Sequence, residues 1–299
     1  MTTLVTGGAG FIGSNLVAAL LAQGKEVHVV DDLSTGRLEN LNPSATFYKM
    51  DIGDPGLEKL VRSIRPEAVF HLAAQVSVPR SLEDPYEDTR INILGTVKLL
   101  DACVKAGVKR VVFSSSAAVY GMPQYLPIDE DHPLQTISPY GASKAAGEEY
   151  LRLYHRLYGL EYVVLRYANV FGPGQDTAGE GGVVSVFAQA LRDGHPLMIY
   201  GDGDQTRDFI YVKDVVRANL AALSCDPAIT VNVSTQRATS VNNLANLMKR
   251  LVNSSSAIKY APERPGDIRD SILGNRRAKD LLEWEPAFTL EEGLGKMLL

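Results

Sequence analysis

The sequence predicts an α/β protein, a doubly wound parallel sheet followed by a smaller mixed α/β domain. Through the first half, short β-branched runs alternate with stretches whose apolar residues recur at helical spacing. Several of those runs are apolar on both faces, which suits strands covered by helices above and below. After about residue 170 the alternation stops, and connections rich in glycine and proline take over. A regular strand–helix alternation is the pattern of a parallel sheet flanked by helices.

In chain order, the strands are expected at 2–7, 26–31, 46–51, 68–73, 110–116 and 161–167, each bounded by Gly, Pro, Asp or Ser. Helices are expected at 12–23, 55–64, 86–106 and 140–158, then at 183–193, 212–224, 240–252 and 276–283. The expected division is a first domain at 1–170 and a second at 171–299, with 208–225 packing back on the first. No internal repeat or low-complexity tract interrupts the chain.

Composition narrows the partners. The 299 residues carry a net charge of −5 and no basic tract, which leaves no electrostatic footprint for nucleic acid or anionic lipid. No run approaches the roughly 20 apolar residues of a membrane span. The opening MTTLVTGGAGFIG has no basic start, and four glycines break its apolar stretch, so it does not read as a signal peptide. Cys103 and Cys225 stand in neither CxxC nor CxxH spacing. A cytoplasmic protein with no metal site is expected.

The first strand runs into TGGAGFIG and a helix, spacing Gly7, Gly10 and Gly13 as GxxGxxG around Phe11 and Ile12. Eighteen residues after Gly13, Asp31 closes the second strand, which is the context of a Rossmann dinucleotide site. The glycines permit a tight turn and close backbone approach, and the helix N-terminus stabilises a pyrophosphate. A carboxylate at Asp31, with Asp32 beside it, accepts ribose hydroxyls and repels a 2′-phosphate, so NAD is favoured over NADP. One aspartate of the pair can equally be a turn cap. Further on, FSSSAAVYG (113–121) ends a strand in three serines, where doubly wound sheets place ligands. SPYGASK (138–144) then sets Tyr140 and Lys144 four apart, on one face of a helix.

With HLAA at 71–74, LRYANVFGPGQ at 165–175 and RPGD at 264–267, this ordered set resembles the extended short-chain dehydrogenase/reductase family over nearly the whole chain. The likeness is strongest to its UDP-galactose 4-epimerase branch. The resemblance implies a nucleotide-sugar-binding second domain and a catalytic set of Ser116, Tyr140 and Lys144. Tyr140 is then the acid/base, and Lys144 binds the nicotinamide ribose and lowers the phenol's pKa towards neutrality. Each unit below the free value near ~10 corresponds to about 1.4 kcal/mol in favour of phenolate.

By the same likeness Asp51 and Ile52 lie along the adenine, Ala73 and Ala74 line the phosphate path, and Ser114 and Tyr167 contact the cofactor. Asn92 is implied in the cofactor set through its support of the helix that carries Lys144. Asn169, Arg207, Arg264 and Asp267 are implied to hold a UDP-sugar, with the arginines on the diphosphate. Ser271 falls at the residue that gates the hexose pocket, and its small size leaves room for an N-acetyl group. A homodimer through helices 86–106 and 140–158 is also implied, with Ile91, Val97, Leu99 and Leu100 serving core or interface.

A 4,6-dehydratase of this family has Asp-Glu directly after the catalytic hydroxyl residue, and a decarboxylase keeps a glutamate there. This chain has Ala117 and Ala118, which leaves C4 epimerisation of UDP-glucose/UDP-galactose, and of the N-acetylated pair if Ser271 admits it. The sugar loop GPGQDTAGEGG lacks the Arg-Pro-Asp run of the glucuronate epimerases. UDP-glucuronate 4-epimerisation, an NADPH-using nucleotide-sugar 4-ketoreductase, another nucleotide-sugar oxidoreductase and a non-catalytic NAD-sensing regulator stay open as alternatives.

Overall fold

The computed structural model describes residues 1–175, 182–263 and 267–299. The alternation begins as β1 (Thr2–Thr6), α1 (Phe11–Ala22), β2 (Glu26–Asp31), β3 (Thr46–Lys49), α2 (Leu57–Ile64) and β4 (Ala68–His71). Then come α3 (Val78–Glu83), α4 (Pro85–Thr89), a π-type stretch at Arg90–Gly95 and α5 (Thr96–Ala106). The sheet resumes with β5 (Arg110–Ser116), α6 (Pro139–Tyr158) and β6 (Glu161–Tyr167). Next are β7 (Asn169–Phe171), α7 (Val183–Arg192), β8 (Leu197–Tyr200), β9 (Thr206–Tyr211) and α8 (Val212–Ala221). The remainder is β10 (Ile229–Val233), β11 (Ala238–Ser240), α9 (Val241–Leu251), β12 (Ile258–Ala261), β13 (Asp270–Ser271), α10 (Arg276–Leu282) and α11 (Leu290–Leu298).

Seven parallel strands pair in the order β10-β6-β5-β4-β1-β2-β3. The order reverses between β1 and β4, and ligands bind outside the strand C-termini at such a switch point. Both faces are covered. Val5, Val29, Phe70 and Val112 pack into one buried cluster with Leu16, Leu20 and Val215. Their neighbours Leu4, Val30, Val69 and Val111 pack into the other with Val61, Leu99 and Leu100. Alternate residues of each strand thus enter opposite cores, which is why the runs are apolar throughout.

The expected strands at 2–7, 46–51 and 68–73 overrun the observed ones by one or two residues, and the physical reason is the site. Gly7, Met50, Asp51, Leu72 and Ala73 leave the ladder at its C-terminal edge and line a cleft. The expected helix 86–106 is broken. Asp84 caps α4 by accepting from the Glu87 amide at 2.9 Å with Pro85 in the first turn, and the π-type stretch intervenes before α5. A strand absent from the sequence reading, β10, joins the main sheet beside β6.

Among the later elements, β7, β11 and β13 gather around β9, and β8 pairs with β12. Their core holds Phe171, Phe187, Ile199, Phe209, Leu244 and Leu294. Helix α6 is fastened to β6 by a buried ion pair. Arg166 donates to Glu148 at 2.9 and 2.6 Å, Arg152 adds a bond at 3.1 Å, and the Ser115 hydroxyl donates to Glu148 at 2.6 Å.

Candidate active site

A cleft of about 740 Å³ runs along the strand ends, from Asp31 past Gly10 to Tyr140. Its floor is the first turn. Gly7 has a φ of +70°, and a Cβ there would lie 2.6 Å from the Ala73 amide nitrogen, so the loop after β4 rests directly on it. A Cβ on Gly13 would stand 2.0 Å from the Gly7 carbonyl oxygen, so α1 starts flush against the turn. At Gly10, which faces the cleft, the nearest neighbour is the Gly7 carbonyl oxygen at 3.3 Å. Among the described residues no side chain caps the α1 N-terminus, and its first turn holds no acidic residue. Its positive end is therefore free for an anion, and the missing Cβ at Gly10 lets that anion reach it. These features fit the pyrophosphate of a dinucleotide.

At the far end Asp31 is buried. Its two oxygens accept from the amides of Ala9 and Leu33, each at 2.9 Å. Burial pushes its carboxyl pKa up, and those amides oppose the shift. Asp32 is exposed and accepts from the Ser34 amide at 2.9 Å and hydroxyl at 2.7 Å. Both aspartates thus cap the turn after β2, and Asp31 also ties it to the Ala9 amide. Both line the cleft.

The opposite end is built by the start of α6. The Ser138 side chain caps it by accepting from the Gly141 amide at 3.1 Å, with Pro139 in the first turn. A Cβ on Gly141 would meet the Ala118 carbonyl oxygen at 2.5 Å, and one on Gly147 would meet the Phe113 ring at 2.7 Å. Those two glycines let the helix press onto β5 and the 3-10 turn at Ala117–Val119, which brings Tyr140 to Ser116. Lys144 is buried, donates to the Ser114 carbonyl at 3.0 Å, and lies 5.9 Å from the Tyr140 ring centre and 5.1 Å from that of Phe113. The Ser114 hydroxyl meets the Tyr167 hydroxyl at 3.0 Å.

The electrostatics differ from the expectation. Burial pushes the Tyr140 phenol up to about 12; the hydrogen bond with Ser116 opposes this, and the charge of Asp88 adds to it. Burial pushes Lys144 down to about 8, opposed by Asp88 and Glu148. Burial of the phenol outweighs the opposing Ser116 hydroxyl, and Lys144 is not among the groups that shift it. His71, between the hydroxyls of Thr6 at 2.8 Å and Thr96 at 2.9 Å, is pushed down to about 3 by burial and then by Lys144, so it is neutral.

Of the residues expected at the site, Gly7, Gly10, Phe11, Ile12, Gly13, Asp31, Asp32, Asp51, Ile52, Ala73, Ala74, Ser114, Ser116, Tyr140, Lys144, Tyr167 and Asn169 line the cleft. Asn92 does not. Its amide bonds Gln75 N and O at 2.9 Å each and the Ser143 hydroxyl at 3.1 Å, which ties the loop after β4 to α6. Arg207 and Ser271 also stand outside the cleft wall, opposite each other in the β9–β13 register. Burial lowers the Arg207 pKa, while Asp267 and Asp270 raise it. Arg264 lies outside the described residues. Sequence reasoning missed Arg90, which lines the cleft and bridges Asp51 at 3.3 Å and Glu87 at 2.7 Å. It also missed Gln75 and Phe209.

The sequence matches the NAD dependent epimerase/dehydratase family over residues 3–234. The chain belongs to that family. A member of the NAD dependent epimerase/dehydratase family uses NAD, and the free helix end and the buried Asp31 fit it. Among solved structures, this epimerase/dehydratase chain is similar to the Thermotoga maritima UDP-glucose 4-epimerase with UDP-glucose, at 46% identity and a TM-score of 0.98 over 100% of this chain and 97% of that one. The Thermus thermophilus UDP-glucose 4-epimerase complex with NAD is 41% identical, with a TM-score of 0.95 over 100% and 98%. The UDP-N-acetylglucosamine 4-epimerase of Methanobrevibacter ruminantium, in complex with UDP-N-acetylmuramic acid, is 40% identical with a TM-score of 0.95 over 99% and 96%.

Proposed function

We propose that this chain is an NAD-dependent UDP-hexose 4-epimerase that interconverts UDP-glucose and UDP-galactose. One observation carries the reading: Ser116 and Tyr140 interact where both line the cleft, and the residues after Ser116 are Ala117 and Ala118. Tyr140 takes the proton of the C4 hydroxyl and later returns it, with the Ser116 hydroxyl bonded to both oxygens in turn. When bound in its oxidised form, NAD supplies a hydride acceptor and a positive charge that favours the phenolate. With no carboxylate beside Ser116 to eliminate water, the 4-keto sugar is reduced again from its other face. The hydride is returned to the sugar, so NAD is oxidised again in each cycle.

The N-acetylated pair is part of the same proposal: Ser271 stands outside the cleft wall, opposite Arg207 on β9, and the reading that it gates the hexose rests on its small side chain. Equilibrating UDP-glucose/UDP-galactose and UDP-GlcNAc/UDP-GalNAc with the protein, and with Ser271→Tyr, tests both readings. The first pair interconverts, and Ser271→Tyr removes turnover of the N-acetylated pair selectively. No interconversion of either pair contradicts the function, and equal loss on both pairs contradicts the gate.

A homodimer is the quaternary state we propose. Leu99 and Leu100 are core residues, whereas Leu82, Tyr86 and Leu94 on the segment before α5, and Leu157 and Tyr158 on α6, are exposed. Exposed apolar side chains on adjoining helices suit an interface. Sedimentation at micromolar concentration gives twice the 32.5 kDa chain mass; a single-chain mass contradicts the proposal.

A further inference from the structure

Asp88, in the last turn of α4, is fully buried and has no part in the mechanism above. Its Oδ1 accepts from the Gln75 side chain at 2.9 Å and the Asn92 side chain at 3.1 Å. Its Oδ2 is buried without a hydrogen-bond partner among the described residues. An asparagine would satisfy the same two donors through its own oxygen, so hydrogen bonding alone does not call for a carboxylate. Burying a charge is costly unless a neighbour of opposite sign compensates.

The buried cation on which Asp88 acts is that of Lys144. Asn92 bonds Asp88 and the Ser143 hydroxyl, and Ser143 donates to the Tyr140 carbonyl at 3.0 Å, so Asp88 belongs to the cluster behind the Tyr140–Lys144 turn. Asp88 acts on Tyr140 and Lys144 of α6; Glu148 of α6 also acts on Lys144, and Lys144 on His71 of β4. His71 is neutral, and Glu148 is already paired with Arg166 and Arg152. On the helices beside it, Glu87 is paired with Arg90, while Arg80 and Glu83 of α3 are exposed. Asp88 itself makes no ion pair among the described residues and acts on Lys144 and Tyr140 through its charge, raising both pKa values.

We propose that Asp88 is the buried counter-charge of Lys144, a positioning residue that keeps the ammonium protonated and seated beside Tyr140. The proposal rests on the Tyr140–Lys144 reading of the site. The carboxylate has opposite consequences for the two partners. It preserves the cation on Lys144, and it opposes the phenolate on Tyr140. Its removal therefore lowers both pKa values and moves the whole pH–rate bell towards acid.

The test is Asp88→Asn, read by the titration of Lys144 in protein labelled with 13C lysine and by the pH dependence of kcat. Lys144 is expected to titrate lower by about one pH unit, with both limbs of the bell displaced in the same direction. A bell reduced in height with its limbs in place, or an unmoved Lys144 titration, would overturn the proposal and leave Asp88 a structural residue. If Asp88→Asn does not fold, the wild-type titration decides, since Lys144 protonated at neutral pH supports the counter-charge and Lys144 neutral there overturns it. The lysine titration needs no turnover, so an error in the proposed reaction shows separately, as missing epimerisation in the wild type.

Discussion

Tyr140→Phe is expected to lower kcat for epimerisation by about a thousandfold, within the range that a positioned acid–base group contributes. The change deletes one oxygen and keeps the ring. Ser138 and Pro139 still start the helix, Gly141 still abuts Ala118, and Lys144 still holds the Ser114 carbonyl. Thermal stability should hardly move, because the lost hydrogen bond to Ser116 is offset by relief from burying the hydroxyl. NAD content after gel filtration should also match the wild type, since the cradle at Gly7–Gly13 and Asp31 is unchanged. Retention of more than about a tenth of kcat would remove Tyr140 from the chemistry.

Glu148→Gln is expected to destabilise the fold by about 3–5 kcal/mol. Glu148 is completely buried and Arg166 nearly so, so loss of the carboxylate leaves a guanidinium charge in a low-dielectric interior. Arg166 also donates to the Tyr120 hydroxyl at 2.9 Å, which donates to Asn232 at 2.6 Å, so the strain reaches β10. Denaturant melts measure the loss. A change under about 1 kcal/mol, the range of exposed pairs, would show that water reaches this pair.

The parts of the site legible in sequence were those made by near neighbours in the chain. Gly7, Gly10 and Gly13 serve one turn, Tyr140 and Lys144 one helical face, and Asp31 one strand end; each is fixed by backbone conformation over a few residues. Asn92 was placed in the cofactor set, yet its partners Gln75 and Ser143 are 17 and 51 residues away, and they turn it to the back of the site. Arg90 could not be read for the same reason, since Asp51 is 39 residues distant.

Burial is likewise a property of the assembled fold. A lysine four residues from a tyrosine suggests a lowered phenol pKa, but the desolvation that raises it comes from β5 and α6 closing on each other. The strands after β6, two to six residues long, pair with partners far along the chain, which periodicity does not register. β10 shows this most clearly. It runs ITVNV beside β6, some 60 residues after that strand, and nothing local distinguishes it from an edge strand of the smaller sheets.

The central claim is that C4 loses its hydrogen within the closed site and regains the same hydrogen on its other face. UDP-galactose deuterated at C4, mixed with unlabelled UDP-galactose and epimerised in ordinary water, tests it most directly by mass spectrometry and NMR of the UDP-glucose formed. The account predicts deuterium wholly retained at C4, with none lost to water and none found elsewhere on the sugar. Deuterium released to solvent, or moved to another carbon, would contradict it.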